Sequence, residues 1–490
     1  MRPHNADMLL DPESCYRAFA THDPRFDGRM FVGVASTGVY CRPVCPARRP
    51  RRENCRFYVS AAAAERAGFR PCLRCRPELA PGNASVDAQA RLAQAAASLI
   101  EDGLASDAGL EAIAARLRVT DRHLRRVFQA EFGVTPVEYA QTQRLLLAKR
   151  LLTDSALPVT QVAFAAGFNS VRRFNALFSA RYRVNPTDLR KHVRTGPPQE
   201  MLRFELAYRP PLDWSALLSF LAGRAIAGVE SVGATTYRRT VCIEHASAVH
   251  QGWIEVQQAR GQKPALAVAL APSLSAVIPQ MLARVKHLFD LAGDPLAVAE
   301  RLGPLAATRP GLRVPGAFSG FEIAVRAVLG QQVTVKAART LAGRFAARFG
   351  TPLTTPFAEL STTFPDAHMI AAAEPAAIGE LGILRARTRA IQALAQALVA
   401  GTLKLEPLVA VEETIDGLRA LPGFGEWTAQ YIAMRALAWP DAFPAADFGV
   451  LKALAETDPR RAQARAESWR PWRAYAVMHL WNQLAERKQP

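Results

Sequence analysis

The chain has 490 residues, more than one ordinary domain holds, and half of them are apolar, enough for several real cores. No apolar run approaches the roughly 18–20 residues needed to span a bilayer, which argues against a membrane partner, and Met1-Arg2-Pro3-His4-Asn5 does not lead into a secretory signal. A cytoplasmic protein is therefore the default expectation. The net charge of +18 is uneven: residues 1–195 hold 30 Arg and Lys against 18 Asp and Glu. Arg dominates there, which suits forked contacts to phosphate, so nucleic acid is favoured over an anionic membrane surface or plain solubility. Five of the seven cysteines lie between Cys41 and Cys75, which argues for metal or thiolate chemistry more than for disulfides.

Within residues 1–78, Cys41-Arg42-Pro43-Val44-Cys45 and Cys72-Leu73-Arg74-Cys75 form two short-spaced pairs that can grip one ion. Four soft sulfurs select Zn²⁺ over hard cations, and in a segment too small to bury much core the metal is expected to contribute folding energy. Cys55 reads as a packed thiol outside the set, and spacing alone is satisfied by a purely structural zinc knuckle. Phe31 to Pro46 together with Ala67 to Cys75 resembles the amino-terminal domain of the Ada adaptive-response proteins. The resemblance implies that Cys41 accepts a methyl group from DNA methylphosphotriesters, once per protein, with Cys45, Cys72 and Cys75 completing the zinc set. Methylation takes the formal charge of the cluster from −2 to −1, so tighter DNA binding is expected afterwards. Arg42, Arg48, Arg49, Arg51, Arg52, Arg70, Arg74 and Arg76 are candidates to hold the DNA backbone, or a solvated basic face.

Residues 85–195 follow a linker at Pro81-Gly82-Asn83. Val86 to Ile100 reads as a helix, and Leu110 to Phe128 as helix, turn and second helix, opened by a Thr120 or Asp121 cap and exposing Arg122, His123, Arg125 and Arg126. The pattern recurs over Val159 to Phe178, with Gly167 at the turn, and a long helix over Pro136 to Leu152 connects the two. The arrangement resembles the double helix-turn-helix domain of AraC-type regulators. It implies two helices in successive major grooves of promoter DNA, with Asn169, Ser170, Arg172 and Arg173 near the contacts of the second, and RNA polymerase as a candidate partner.

After a linker at Thr195 to Glu200, residues 201–277 mix alternating stretches, Met201 to Ala207 and Trp253 to Val256, with a helical run over Trp214 to Leu221. Cys242 reads as a buried small hydrophobe. From Ile278 to 490 the chain reads as almost wholly helical. Leu421-Pro422-Gly423-Phe424-Gly425-Glu426-Trp427-Thr428-Ala429 suits a tight turn between helices, either a plain connection or a phosphate cradle built from exposed N–H groups. Asp447 opens a helix at Phe448 and, on residue type alone, reads as its N-cap.

Residues 201–482 resemble the bacterial 3-methyladenine DNA glycosylase II type of the helix-hairpin-helix family. The resemblance makes Asp447 the carboxylate that stabilises positive charge on the sugar, and Trp427, Tyr431, Phe448 and Trp481 an aromatic pocket for an electron-poor base. It places Gly423, Gly425 and Thr428 at the DNA-gripping hairpin, with a monovalent cation a candidate cofactor there, and Gln332 as the wedge filling the gap left by the extruded base. Trp427 stands where strand-cutting relatives carry a Schiff-base lysine, which implies a monofunctional enzyme. An alkylguanine-transferase motif is missing. The expected fold is thus multidomain: a small zinc-bound α/β domain, an all-α double helix-turn-helix domain, a small mixed α/β subdomain and an all-α helix-hairpin-helix domain. The expected function is alkylation repair with its transcriptional control by a monomer acting on alkylated duplex and promoter DNA. The alternative is a non-enzymatic, damage-sensing regulator with an inactive glycosylase half.

Overall fold

The computed structural model describes residues 11–81, 88–101, 109–155, 157–191, 201–245, 248–261, 263–407 and 411–486. The expected linkers at 82–83 and 195–200 and the first ten residues lie outside them. The chain forms two compact units, Met1–Pro210 with Ala259–Ala283 and Leu291–Gly293, and Pro211–Gln258 with Arg284–Asp290 and Asp294–Pro490.

The first unit opens with helix α1 (Pro12–Ala20), capped by Asp11, and a four-stranded sheet in the order β3-β1-β2-β4. Its strands are β1 (Phe31–Val34), β2 (Val39–Cys41), β3 (Cys55–Tyr58) and β4 (Arg70–Pro71), with the short helix α2 (Ala61–Arg66) between the last two. β1 pairs antiparallel with β2 and β3, whereas β2 and β4 run parallel, Tyr40 opposite Pro71. That parallel pair explains how 26 intervening residues bring the cysteine pairs together: both strands deliver their first cysteine at the same end, and Cys72 N–H donates to Tyr40 O at 3.0 Å.

Next come α3 (Ala88–Glu101), α4 (Gly109–Arg116), α5 (Asp121–Phe132), α6 (Pro136–Asp154), α7 (Val159–Ala165) and α8 (Val171–Tyr182). Thr120 caps α5, accepting from His123 N–H, and Ser170 caps α8. Gly167 takes φ +80° in the second turn as its residue type suggests, while the first turn places Arg118 at φ +54°, a conformation L residues enter only at a cost. Within this unit β5 (Leu202–Ala207) also pairs antiparallel with Ala265–Leu270, the strand numbered β9 below.

In the second unit, α9 (Trp214–Ala222) precedes an antiparallel meander of β6 (Glu230–Val232), β7 (Thr236–His245) and β8 (Ala248–Gln258), the first unit's β9 following in the chain. Cys242 is half-buried rather than fully buried, because it faces Gln251 across the hairpin, whose Nε2 donates to its sulfur at 3.6 Å. The remainder is mostly helical, as its composition indicates, apart from an extended stretch that bridges Pro352 to Thr362. The helices that build the site are α10 (Gly320–Leu329), α11 (Val335–Phe349), α12 (Val411–Arg419), α13 (Glu426–Arg435), α14 (Phe448–Leu454) and α15 (Arg473–Glu486). Among the described residues, no helix is long and apolar enough to cross a membrane.

Candidate functional site

The sulfur atoms of Cys41, Cys45, Cys72 and Cys75 lie within 4.8 Å of one another and all four residues are buried. Four soft donors converging on one point fit a tetrahedral Zn²⁺ and nothing harder. Cys15 and Cys55 pack in the same core without joining the set. Arg42, expected among the DNA contacts, is instead turned inward and 7% exposed. Its Nε donates to Asp27 Oδ1 at 2.8 Å, Nη2 also pairs with Asp27, Nη1 reaches Cys75 O at 3.2 Å, and its backbone N–H points at Cys75 Sγ at 3.3 Å. A guanidinium placed there ties the Cys41 and Cys75 turns together and is buried away from any phosphate. Arg76 is likewise engaged, with Glu78 and Asp154. Arg48, Arg49, Arg51, Arg70 and Arg74 remain exposed.

On the helix-turn-helix units, Arg122, Arg125 and Arg126 are exposed on α5, Arg125 paired with Asp121 at 2.7 Å. Asn169, Ser170, Arg172 and Arg173 are exposed at the start of α8, where the Ser170 hydroxyl is occupied as the cap, accepting from Arg173 N–H at 3.3 Å.

In the second unit, a cleft of about 1450 Å³ is lined by Trp427, Tyr431, Asp447, Phe448 and Trp481 together with Gln332, Gly423, Gly425 and Thr428. Asp447 caps α14 as its residue type suggests, its Oδ1 accepting from Val450 N–H at 3.0 Å. The same oxygen accepts from Trp481 Nε1 at 2.8 Å, and Oδ2 from Trp427 Nε1 at 2.9 Å. Two of the aromatics expected only to stack a base thus also fix the carboxylate by charge-assisted bonds. Gly449 makes this possible, since a Cβ there would sit 2.9 Å from Trp481 Cδ1. Trp427 and Tyr431 stack, ring centroids 5.6 Å apart and 19° from parallel, with Tyr431 6.3 Å from Trp481. Phe448 departs from the expectation of an enclosed ring: it is 77% exposed at the rim, because the first residue of α14 points away from the core that holds Val450 and Leu454.

Several participants are not visible in the sequence. Phe220 stacks on Trp481 at 6.1 Å, Arg224 lies 3.8 Å over the Phe220 ring, and Arg435 donates to Tyr431 Oη at 2.8 Å while bonding Pro315 O and Gly316 O. Burial pushes the Tyr431 phenol up, but Arg435 and Arg224 outweigh it and hold it below its ordinary value. The one available signal is phase: Phe220 sits off the stripe of Trp214, Leu217, Leu218 and Leu221 that α9 buries.

The hairpin joins α12 to α13. Gly423 takes φ +82° with a would-be Cβ 3.0 Å from Ala390, whereas Gly425 is extended and caps α13. Thr428 does not offer its side chain to DNA: it is 2% exposed and its hydroxyl accepts from Gln331 Nε2 at 3.0 Å. Gln331 Nε2 also donates to Gly423 O at 2.8 Å, occupying one of the carbonyls expected to be open to a cation. Gln332 is exposed at φ +54° in the turn between α10 and α11.

Four family models match the chain: the metal binding domain of Ada over residues 14–78, a helix-turn-helix domain over 113–192, the AlkA N-terminal domain over 203–319, and the HhH-GPD superfamily base excision DNA repair proteins over 325–474. A "Probable bifunctional transcriptional activator/DNA repair enzyme AlkA" of Mycobacterium tuberculosis is 38% identical over 503 aligned residues, 97% of each chain. The "DNA-3-methyladenine glycosylase 2" of Escherichia coli K12 is 37% identical over 57% of this chain and 96% of its own length. The "Bifunctional transcriptional activator/DNA repair enzyme Ada" of the same organism is 37% identical over 33% of this chain and 44% of its own length.

Proposed function

This chain belongs to the AlkA/Ada family of bifunctional DNA-repair enzymes and transcriptional activators, and from that premise we propose how its two centres work. Its repair half is a DNA glycosylase, and its regulatory half carries a four-cysteine zinc site beside a helix-turn-helix domain. In our reading, Asp447 faces the deoxyribose of an extruded alkylated purine. As the N-glycosidic bond breaks, its electrons leave with the base, positive charge grows on the sugar, and the carboxylate stabilises that charge until water adds. Alkylation at N3 or N7 makes the base a better leaving group, and the faces of Trp427, Tyr431 and Trp481 favour its electron-poor ring. An indole at position 427 forms no Schiff base, so the product is an abasic site in an unbroken strand.

At the other centre, the Cys41 thiolate attacks the methyl carbon of a methylphosphotriester: the S–C bond forms, the C–O bond breaks, and the phosphate departs as an ordinary diester anion. Bound zinc would keep the four sulfurs deprotonated at neutral pH. The neutralised phosphate gains its charge back while the cluster loses one, which favours tighter promoter binding. Monomeric action in the cytoplasm, with RNA polymerase as a further partner at the promoter, belongs to the same reading.

The observation that carries the repair assignment is Asp447 held by two indole N–H groups and a helix N-terminus on the wall of an aromatic cleft. Single-turnover base release from methylated duplex tests it. Asp447→Asn is expected to lose about 10²–10³-fold with Cys41 methylation unchanged. Full-speed release by that variant, or a borohydride-trapped adduct at the active site, would overturn the assignment.

A further inference from the structure

Side chains alternate along β2, and its two faces lead to different places. Cys41 turns into the sulfur cluster, within a core that includes Phe19, Met30 and Val32. Tyr40 turns the other way, into a second core with Phe31, Ala61, Ala64, Phe69 and Leu146. Leu146 belongs to α6, the connecting helix of the DNA-binding domain, so the metal module and that domain share this core. The Tyr40 hydroxyl, fully buried, donates to Glu65 Oε1 at 3.0 Å. Glu65, itself 1% exposed, accepts from Thr142 Oγ1 of α6 at 3.2 Å and from Tyr182 Oη of α8 at 3.5 Å, and Arg181 Nε lies 3.8 Å from its Oε2. Arg181 and Tyr182 form the last turn of the helix whose first turn exposes Arg172 and Arg173.

Placing a carboxyl group where no water reaches it is costly, and an apolar residue would fill the same space between α2 and α6 more cheaply. Burial pushes Glu65 up to about 7, against the lowering by Arg181, Tyr40, Thr142 and Tyr182. The group sits at a junction of three elements: the acceptor strand, the connecting helix and the second recognition helix.

We propose that Glu65 is a positioning residue that couples the state of Cys41 to the second recognition helix. The proposal rests on the reading of Cys41 as a methyl acceptor. A methyl group added to a side chain only 6% exposed enters a packed core, where added volume displaces its neighbours rather than being absorbed. Tyr40 is one peptide away on the same strand, so displacement of β2 reaches Arg181 and Tyr182 through a single carboxyl group. The charge change at the cluster acts on phosphate through space and fades as salt rises, whereas this coupling acts through contacts and persists.

The experiment uses full-length wild type, Glu65→Leu, Glu65→Gln and Tyr40→Phe, each before and after exposure to methylphosphotriester DNA. Mass analysis reports zinc and methyl on Cys41, and fluorescence anisotropy reports affinity for one labelled duplex at low and high salt. For wild type, methylation is expected to tighten binding by about fivefold or more even at high salt. Glu65→Leu and Tyr40→Phe should take up methyl normally yet lose that salt-resistant gain, and Glu65→Gln, which keeps an acceptor for Tyr40, should restore it. A purely structural role would weaken both methylation states alike and leave their ratio unmoved, and that result overturns the coupling. Tyr40→Phe removes only a hydroxyl and decides the matter if Glu65→Leu does not fold. Wild type that gains no methyl refutes the acceptor reading, whereas wild type that gains it without salt-resistant tightening overturns the coupling and leaves that reading standing.

Discussion

Cys41 is walled in by three other sulfurs and a packed core, whereas Asp447 is only half-buried in an open cleft with its three hydrogen-bond donors behind it. The sulfur centre is closed and packed, with no exit for a product, which suits the proposed single methyl transfer. The carboxylate centre leaves space for a purine to enter and depart, which suits turnover. The contrast also shows where each centre is vulnerable: the first depends on its metal, the second on the orientation of one side chain.

Removing zinc should therefore separate the two most sharply. Cys72→Ala, or a strong chelator, is expected to unfold the metal module while base release changes less than about twofold, checked by zinc content and single-turnover kinetics on the same preparation. Trp481→Phe keeps a ring and deletes one donor to Asp447. A loss of about 10–100-fold in base release is expected, in line with the roughly 1.5–3 kcal/mol of a hydrogen bond to a charged group, with Cys41 methylation untouched. Gly449→Ala should cost several-fold by pushing the Trp481 indole off the carboxylate, visible as changed tryptophan fluorescence.

The smallest effect concerns pH, and here a buried carboxyl group and two buried imidazoles carry opposite signs. Glu65 in the first unit is raised from 4.5 to about 7, so its protonated folded form contributes stability below 4.5 that is lost as pH rises to 7. Burial lowers His287 and His479 in the second unit from 6.5 to about 4, so stability there is lost as pH falls from 6.5 towards 4. The melting-temperature advantage of wild type over Glu65→Gln should shrink between pH 5 and pH 8, and that over His479→Gln should grow.

Features set by neighbours in the chain are legible in the sequence. The cysteine pairs, the Thr120 cap, the Gly167 turn and the Asp447 cap all depend on residues a few positions apart. What stays hidden is assembled across distance. The donors to Asp447 come from positions 427, 450 and 481, and the parallel pairing of β2 with β4 has no local signature. Glu65, in an Ala-rich helix ending Glu65-Arg66, has the pattern of a solvated charge until α2 docks on α6. Arg42 misleads for the same reason: a basic residue among many others gives no sign that Asp27 waits fifteen positions upstream.

Gln331 bonds both Gly423 O and Thr428 Oγ1, and Arg387 in turn bonds the Gln331 carbonyl. The proposed groove-entering turn and the proposed backbone-gripping hairpin are therefore jaws of a calliper locked at one opening. On that proposal, a duplex gripped by both would have to match their fixed spacing, and any bending would fall on the nucleic acid. On the same proposal, pliable sites, where an altered base stacks and pairs poorly, would meet both elements at least cost.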